Sequence, residues 1–489
     1  MNRALHIMFV VSEAVPFAKT GGLADVAGSL PLALSRAGMH LSVVMPLYGV
    51  IKQGNFTLTK ELTDLEVAFD FFKLTFDVYR ADVEGVSFYF IERDEFFERR
   101  QLYGTPKGDY FDNLERYTFL AKTLLPVCQA LNLNPDIIHC HDWQSALVPV
   151  YLREKWREAE CFAQTASVFT IHNLAYQGLF RKEKYHLLDL DPSLFSIDGL
   201  EFYDQINFLK AGILWADAIT TVSRQYSREI QTPEFGCGLE GVLQSRAASL
   251  TGIVNGVDYR TWNPASDKLI AAPFSPGNLA GKTKNKKALM EAFLLDAKLL
   301  EAPLFGMVSR LADQKGLDLL SAILPELMAA KATLVILGTG EEKYHQLLTE
   351  AAQKYQGQLG IKIAFDNQLA HLIEAGADMF LMPSHYEPCG LNQIYSLKYG
   401  TIPVVRATGG LVDTIEPVDA QKKTGTGFRF TGKTPETFWA CMQEAMQAYQ
   451  NKTLWKQLMS NAMNQDFSWE ASATMYESLY RQTLAPIQF

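Results

Sequence analysis

The chain has 489 residues, 48% of them apolar and 20% charged, a balance that builds packed cores and excludes a disordered protein. At that length two or three domains are expected. The formal charge of -9 excludes a broad basic face, and with it a general nucleic-acid or anionic-membrane binder; an anionic small substrate would need local cations.

From the N-terminus, Met1-Asn2-Arg3-Ala4-Leu5-His6 runs straight into an apolar strand at 7–11, which leaves no room for a leader peptide. No apolar run approaches the ~18–20 residues of a membrane span. Cys128, Cys140, Cys161, Cys237, Cys389 and Cys441 are scattered with no C-x-x-C pair, so a cytoplasmic protein without a membrane partner is expected. After the first strand, Lys19-Thr20-Gly21-Gly22-Leu23-Ala24-Asp25-Val26 opens a helix with Leu23, Val26, Ala27, Leu30 and Leu34 on one face. Further strands are expected near 41–45, 136–140, 167–171, 218–222 and 252–254. The aromatic alternation of 56–98 (Phe69, Phe71, Phe72, Phe76, Tyr79, Phe88, Tyr89, Phe90) reads as an antiparallel excursion.

A domain boundary is expected within 256–300, where the turn Asn255-Gly256-Val257-Asp258 precedes Trp262-Asn263-Pro264 and a lysine-rich stretch. The run Lys282-Thr283-Lys284-Asn285-Lys286-Lys287 reads as the solvated start of a helix, or else as a cationic contribution to a ligand site. Strands follow near 304–308, 333–337, 361–365, 379–382 and 402–405. Strands alternating with helical patterns in both halves indicate parallel α/β sheets. The chain closes on an amphipathic helix from Trp469, with Ala471, Met475 and Leu479 on one face and Pro486 ending it.

Six segments could carry chemistry. Strand, glycine loop and helix start at Thr20-Gly21-Gly22 present backbone N–H groups and a helix dipole to an anion, and Lys19 adds a full charge. The spacing is neither a Walker loop nor a dinucleotide fingerprint. A lone Gly-Gly pair is most simply a turn. Yet Thr408-Gly409-Gly410-Leu411-Val412-Asp413 repeats Thr-Gly-Gly-Leu-x-Asp after a strand in the other half, which suggests a ligand held between two α/β halves.

In the second half, Arg310 and Lys315 follow the first strand, at the end where open α/β sheets bind ligands. A guanidinium fork and a compact ammonium there read as a diphosphate clamp. Glu387, on the loop Ser384-His385-Tyr386-Glu387-Pro388-Cys389-Gly390-Leu391, could be nucleophile, base or orienting group; the sequence does not choose. In the first half, His139-Cys140-His141-Asp142-Trp143 and Thr170-Ile171-His172-Asn173 both stand at strand ends. Adjacent residues of a strand cannot all face one ion, so no metal is expected. Trp143 offers a flat face for a sugar or for packing, and His172 and Asn173 offer hydrogen bonds at the same rim.

Taken together these motifs resemble the bacterial glycogen synthases and related plant starch synthases. The likeness spans essentially the whole chain and rests on Lys19 to Leu23, His141-Asp142-Trp143, Thr170-Ile171-His172-Asn173-Leu174-Ala175-Tyr176-Gln177-Gly178, Asn255-Gly256-Val257-Asp258, the Arg310/Lys315 loop, Glu387-Pro388-Cys389-Gly390-Leu391 and Thr408-Gly409-Gly410, in that order.

The resemblance implies an α/β GT-B fold: two Rossmann-like domains (1–255 and 256–465) facing across a deep cleft, with a C-terminal helix (466–489) crossing back to the first. It implies retaining transfer of glucose from ADP-glucose to the non-reducing 4-hydroxyl of an α-1,4-glucan such as glycogen, without cofactor or metal. Glu387, His172, Lys315 and Arg310 would then be catalytic. Lys19, Gly21, Gly22, Arg310, Lys315, Cys389, Gly390, Leu391, Thr408, Gly409 and Gly410 would bind the nucleotide sugar. Asp142, Trp143, His172, Asn173 and Asn255 would contact the glucosyl unit or acceptor.

One departure is Tyr395, eight positions after Glu387, where many related retaining enzymes carry a second glutamate. The glycogen and starch synthase branch often lacks that acid. A nucleotide-sugar epimerase on the same fold fits the Lys-Thr-Gly-Gly-Leu loop poorly. A non-catalytic glucan scaffold would be expected to have lost Lys19, Arg310, Lys315 or Glu387, and a glucosyltransferase of altered specificity is the remaining alternative.

Overall fold

The structure, a computed structural model, describes residues 3–69, 71–105 and 107–485. Val257–Ser468 forms one compact unit; the residues before it, together with those from Trp469 onward, form another. Pro486, expected to end the last helix, lies outside the described residues.

Among the described residues, nine strands make the main sheet of the first unit. Their order is Leu250–Gly252, Ala218–Thr221, Ala166–Ile171, Ile137–His141, His6–Val10, His40–Pro46, Val86–Glu92, Lys73–Val83 and Thr59–Ala68. The first seven run parallel, and all but the edge strand Leu250–Gly252 are largely buried, as a sheet covered by helices requires. Phe9 pairs with Val43 on one side and His139 on the other. The chain thus reverses direction across the sheet at His6–Val10, and the loops after this strand and after Ile137–His141 meet at a switch point.

The aromatic segment is only partly the antiparallel excursion expected. Thr59–Ala68, Lys73–Val83 and Val86–Glu92 do pair antiparallel in series, but Val86–Glu92 also lies parallel to His40–Pro46 and continues the main sheet. Its Phe88, Phe90 and Ile91 are fully buried, which only an inner strand permits.

Trp469–Leu484 is a helix packed on the helix Gly22–Arg36 of the first unit. Arg36 Nη2 donates to Glu470 Oε1 at 2.8 Å and Ser472 Oγ to Val254 O at 2.8 Å. The buried face is Trp469, Ser472, Ala473, Tyr476, Leu479 and Tyr480. Of the apolar face expected, only Leu479 is buried; two tyrosines, amphipathic enough to face either way, take the inner positions.

In the second unit six parallel strands are ordered Leu359–Ile363, Thr333–Gly338, Leu304–Val308, Met379–Met382, Ile402–Arg406 and Phe428–Phe430. The switch point falls between Leu304–Val308 and Met379–Met382. Here the lysine-rich reading is corrected. Ala280–Ala292 is a helix, but Lys282 and Lys286 are buried rather than solvated. Four residues apart, they share the inner face. Lys286 Nζ pairs with Asp378 Oδ2 at 2.6 Å, and Lys282 Nζ donates to Thr401 Oγ1 at 2.7 Å and to the carbonyls of Ala375 and Tyr399. They fasten the helix to the sheet and reach no ligand site.

Candidate active site

At the switch point of the second unit the strand ends and following loops enclose a cavity of about 210 Å³. Arg310, Lys315, Glu387, Gly390 and Leu391 all line it, together with Ser384 and Asn392. Lys315 Nζ lies 2.6 Å from Glu387 Oε2, and Ser384 Oγ donates to the same oxygen at 3.0 Å. Only 8% of the Glu387 side chain is exposed, so the pair is held in low dielectric where its geometry is strongly enforced. Arg310 stays exposed, with Nη2 at 3.0 Å from Gln314 Oε1; the Gln314 amide in turn donates to Tyr386 O.

The backing of this loop is rigid. Arg406 Nε donates to Ser384 O at 2.6 Å and its Nη2 to His385 O. Gly410 N donates to Glu387 O and Pro388 O, both at 3.1 Å. A Cβ on Gly409 would stand 1.9 Å from Glu387 O, and one on Gly410 2.1 Å from Cys389 O. Gly409 also has φ 45°, so both positions demand glycine. The Gly410 N–H that was expected to face a phosphate therefore faces the Glu387 loop. Thr408, Gly409, Gly410 and Cys389 are buried and do not line this cavity; the backbone of Gly409 and Gly410 packs against the carbonyls of Glu387 and Cys389.

The first glycine loop, Thr20-Gly21-Gly22 in the first unit, has a different environment. The Thr20 N–H donates to Glu13 Oε2, and Lys19 Nζ lies 2.7 and 2.8 Å from the two oxygens of Asp25. Burial raises the pKa of Glu13, against hydrogen bonds from Thr20 and Gly21 that lower it. Nearby, Asp142 takes a left-handed conformation (φ 55°) so that Oδ1 accepts the His172 N–H at 2.7 Å. Burial pushes the Asp142 carboxyl up to about 7, hydrogen bonds from the His172 and Asn173 amides notwithstanding. It pulls His172 down to about 3, so the imidazole is neutral near pH 7.

His172 Nε2 sits 3.0 Å from His141 Nδ1. His139 uses both ring nitrogens, toward Tyr480 OH at 2.8 Å and Thr170 Oγ1 at 2.6 Å. Among the described residues no group of three or more His, Cys, Asp or Glu is arranged to hold a metal ion. Asn255 is buried, and its Oδ1 has no partner among the described residues. Trp143 is the exception to the sugar-binding reading. It is 8% exposed, edge-on to Tyr117 at 4.9 Å, and a Cβ on Gly178 would stand 2.7 Å from its ring, so its faces are taken by packing.

Comparison with known proteins identifies this arrangement. The chain is 47% identical to the glycogen synthase of Geotalea daltonii, over 98% of the chain and 99% of that relative. It is equally similar to the glycogen synthase of Koribacter versatilis, over 99% and 100%. The chain belongs to the glycogen and starch synthase family. Residues 6–245 match the family described as starch synthase catalytic domain, and 296–458 match glycosyl transferases group 1.

Among solved structures, the catalytic domain of starch synthase IV from Arabidopsis thaliana, bound to ADP and acarbose, superposes with a TM-score of 0.90. It is 31% identical and is covered completely by 99% of this chain. Sucrose-phosphate synthase from Thermosynechococcus elongatus, at 17% identity, shares the fold alone, with a TM-score of 0.59 over 98% of both chains. The two parallel-sheet α/β units are those of the GT-B fold. No helix among the described residues is long and apolar enough to cross a membrane.

For a synthase of this family the structure adds residues that the sequence reading passed over. Ser384 and Arg406 hold the Glu387 loop, and Glu13 holds the first glycine loop. Arg406 was visible as a cation closing a buried strand directly before Thr408-Gly409-Gly410, a position that burial makes costly without partners. Glu13 gave no signal, because its partners are the Thr20 side chain and the backbone N–H groups of Thr20 and Gly21, which the fold alone brings to it.

Proposed function

We infer that this protein is a glycogen synthase that transfers glucose from ADP-glucose to the non-reducing 4-hydroxyl of an α-1,4-glucan with retention of configuration. The observation that carries the reading is the Lys315–Glu387 pair beside Arg310 in one cavity at a sheet switch point. The named relatives support it, as does the ADP and acarbose bound to the 31%-identical Arabidopsis domain.

In this reading Arg310 and Lys315 face the diphosphate and neutralise the charge that builds on ADP as the bond from glucosyl C1 to the β-phosphate oxygen breaks. The acceptor O4 bonds to C1, and its proton passes to the departing phosphate. Glu387, fixed by Lys315 and Ser384, orients sugar hydroxyls and balances the positive charge developing at C1. Lys19 and Gly21-Gly22 of the first unit are assigned to the donor; His172, Asn173, Asp142 and Asn255 are assigned to the glucosyl unit or acceptor. The chain's own residues account for each step, so we propose that no metal or cofactor takes part; we further propose that the protein acts in the cytoplasm, a reading supported by its six free cysteines.

The test is ADP release from ADP-glucose or UDP-glucose with and without glycogen, wild type beside Glu387→Ala. Release from ADP-glucose that needs glycogen and is lost in the variant is expected. Release without glycogen, or from neither donor, would overturn the assignment.

A further inference from the structure

The mechanism above uses His172 but not His141, which is wholly buried one strand away. His141 stacks between neighbours, its ring centroid 4.2 Å from His139 and 5.1 Å from Phe9. Its Nδ1 lies 3.0 Å from His172 Nε2, and no protein group among the described residues reaches its Nε2. Burial depresses the basicity of both rings, so each carries one proton.

Only one of the two facing nitrogens can be protonated. If the proton of His141 were on Nε2, a buried N–H would be left without an acceptor, which native structures rarely tolerate; a bare nitrogen lone pair is the cheaper orphan. The proton of His141 therefore lies on Nδ1 and is donated to His172 Nε2. That nitrogen is then an acceptor, and the single proton of His172 must reside on Nδ1. The His172 backbone is separately fixed by its N–H bond to Asp142 Oδ1, and its ring lies nearly parallel to that of His141 with centroids 5.3 Å apart.

Resting on the functional reading above, we propose that His141 is a positioning residue that locks His172 into its Nδ1–H tautomer, so that His172 meets the sugar as a hydrogen-bond donor and not as a base. A hydroxyl oxygen of the glucosyl unit is the partner this presents, and the same lock prevents His172 from accepting the acceptor's proton. The departing phosphate is then left as the base.

The test uses full-length protein labelled with ¹⁵N-histidine, observed by long-range ¹⁵N–¹H correlation without substrate, alongside steady-state kinetics. Wild type should show His172 protonated at Nδ1. His141→Asn, whose amide nitrogen falls near the position of Nδ1, should keep that tautomer and most of the activity. His141→Phe, which preserves the ring packing but not the donor, should shift His172 toward Nε2–H and lower kcat by ~10- to 100-fold with KM for ADP-glucose little changed. An Nε2–H tautomer in wild type would overturn the proposal. So would a folded His141→Phe with wild-type kcat, or a folded His141→Asn no better than His141→Phe. The spectrum is read without turnover, so a failure of the assigned reaction would appear as absent ADP release with the tautomer pattern intact.

Discussion

The two Thr-Gly-Gly-Leu-x-Asp loops are alike in sequence and opposite in what their glycines are for. In the second unit, backbone oxygens stand 1.9 and 2.1 Å from where the Cβ atoms of Gly409 and Gly410 would be. In the first unit, a Cβ on Gly21 would come no nearer than 3.8 Å to Glu13 Oε1, and one on Gly22 would meet nothing within 4 Å. Gly21 is also in extended conformation, open to any residue. One pair is required by the fold. The other leaves open a space that a ligand could approach, and the chain covers its N–H groups and Lys19 with carboxylates of its own, Glu13 and Asp25. The same motif is thus packed tightly against backbone in one unit and left open around its glycines in the other.

That contrast can be broken most severely at Gly410. Gly410→Ala forces its Cβ into the Cys389 carbonyl, and a loss of about 3 kcal/mol or more is expected in denaturant unfolding, with activity lost alongside. Lys315→Ala comes next. It strands the buried Glu387 carboxylate and should cost about 2 kcal/mol, whereas Lys19→Ala removes only a surface pair and should cost less than about 0.5 kcal/mol in the same assay. Gly22→Ala should leave stability within about 0.5 kcal/mol of wild type while cutting kcat/KM for ADP-glucose by about 100-fold, since the added methyl occupies the approach. An active Gly22→Ala would mean that nothing comes close to that loop.

The smallest effect is expected from Glu13→Gln, and it is a difference in pH slope. The folded pKa of Glu13 lies above its unfolded value, so the native state holds the proton more tightly. Its contribution favours folding at low pH and is lost as pH rises through the folded pKa. Wild type should therefore lose stability relative to Glu13→Gln as pH climbs above the ordinary carboxylate range, measured as the difference between their melting temperatures. A difference that stays flat with pH would show the carboxylate to be unperturbed.

Much of the fold was legible because buried parallel strands announce themselves as apolar runs. Leu304–Val308 and Met379–Met382 begin and end where the runs do, and the inner face of Gly22–Arg36 was readable from its spacing. Leu359–Ile363 lies two residues earlier than expected, since it is an edge strand whose last residues are exposed and carry no pattern. Phe428–Phe430 and the small sheet of Leu179–Arg181, Glu201–Phe202 and Gln205–Asn207 are too short for periodicity to register. At the site, charged residues on loops after strands were easy to single out. What could not be read was the direction of each contact: that Gly410 turns toward Glu387, that Lys282 and Lys286 turn inward, and that Trp143 is packed over.

The return of Trp469–Leu484 to the first unit has a consequence for how the chain comes off the ribosome. Val257–Ser468 is continuous and can close as soon as it is made, but the first unit must wait for its last helix, which seals Val254 through Ser472 and His139 through Tyr480. At ~5–20 residues per second, the intervening segment delays that helix by roughly 10–40 s. During this interval the nascent chain carries an unfinished first domain whose face for Trp469, Ala473, Tyr476 and Leu479 is still uncovered.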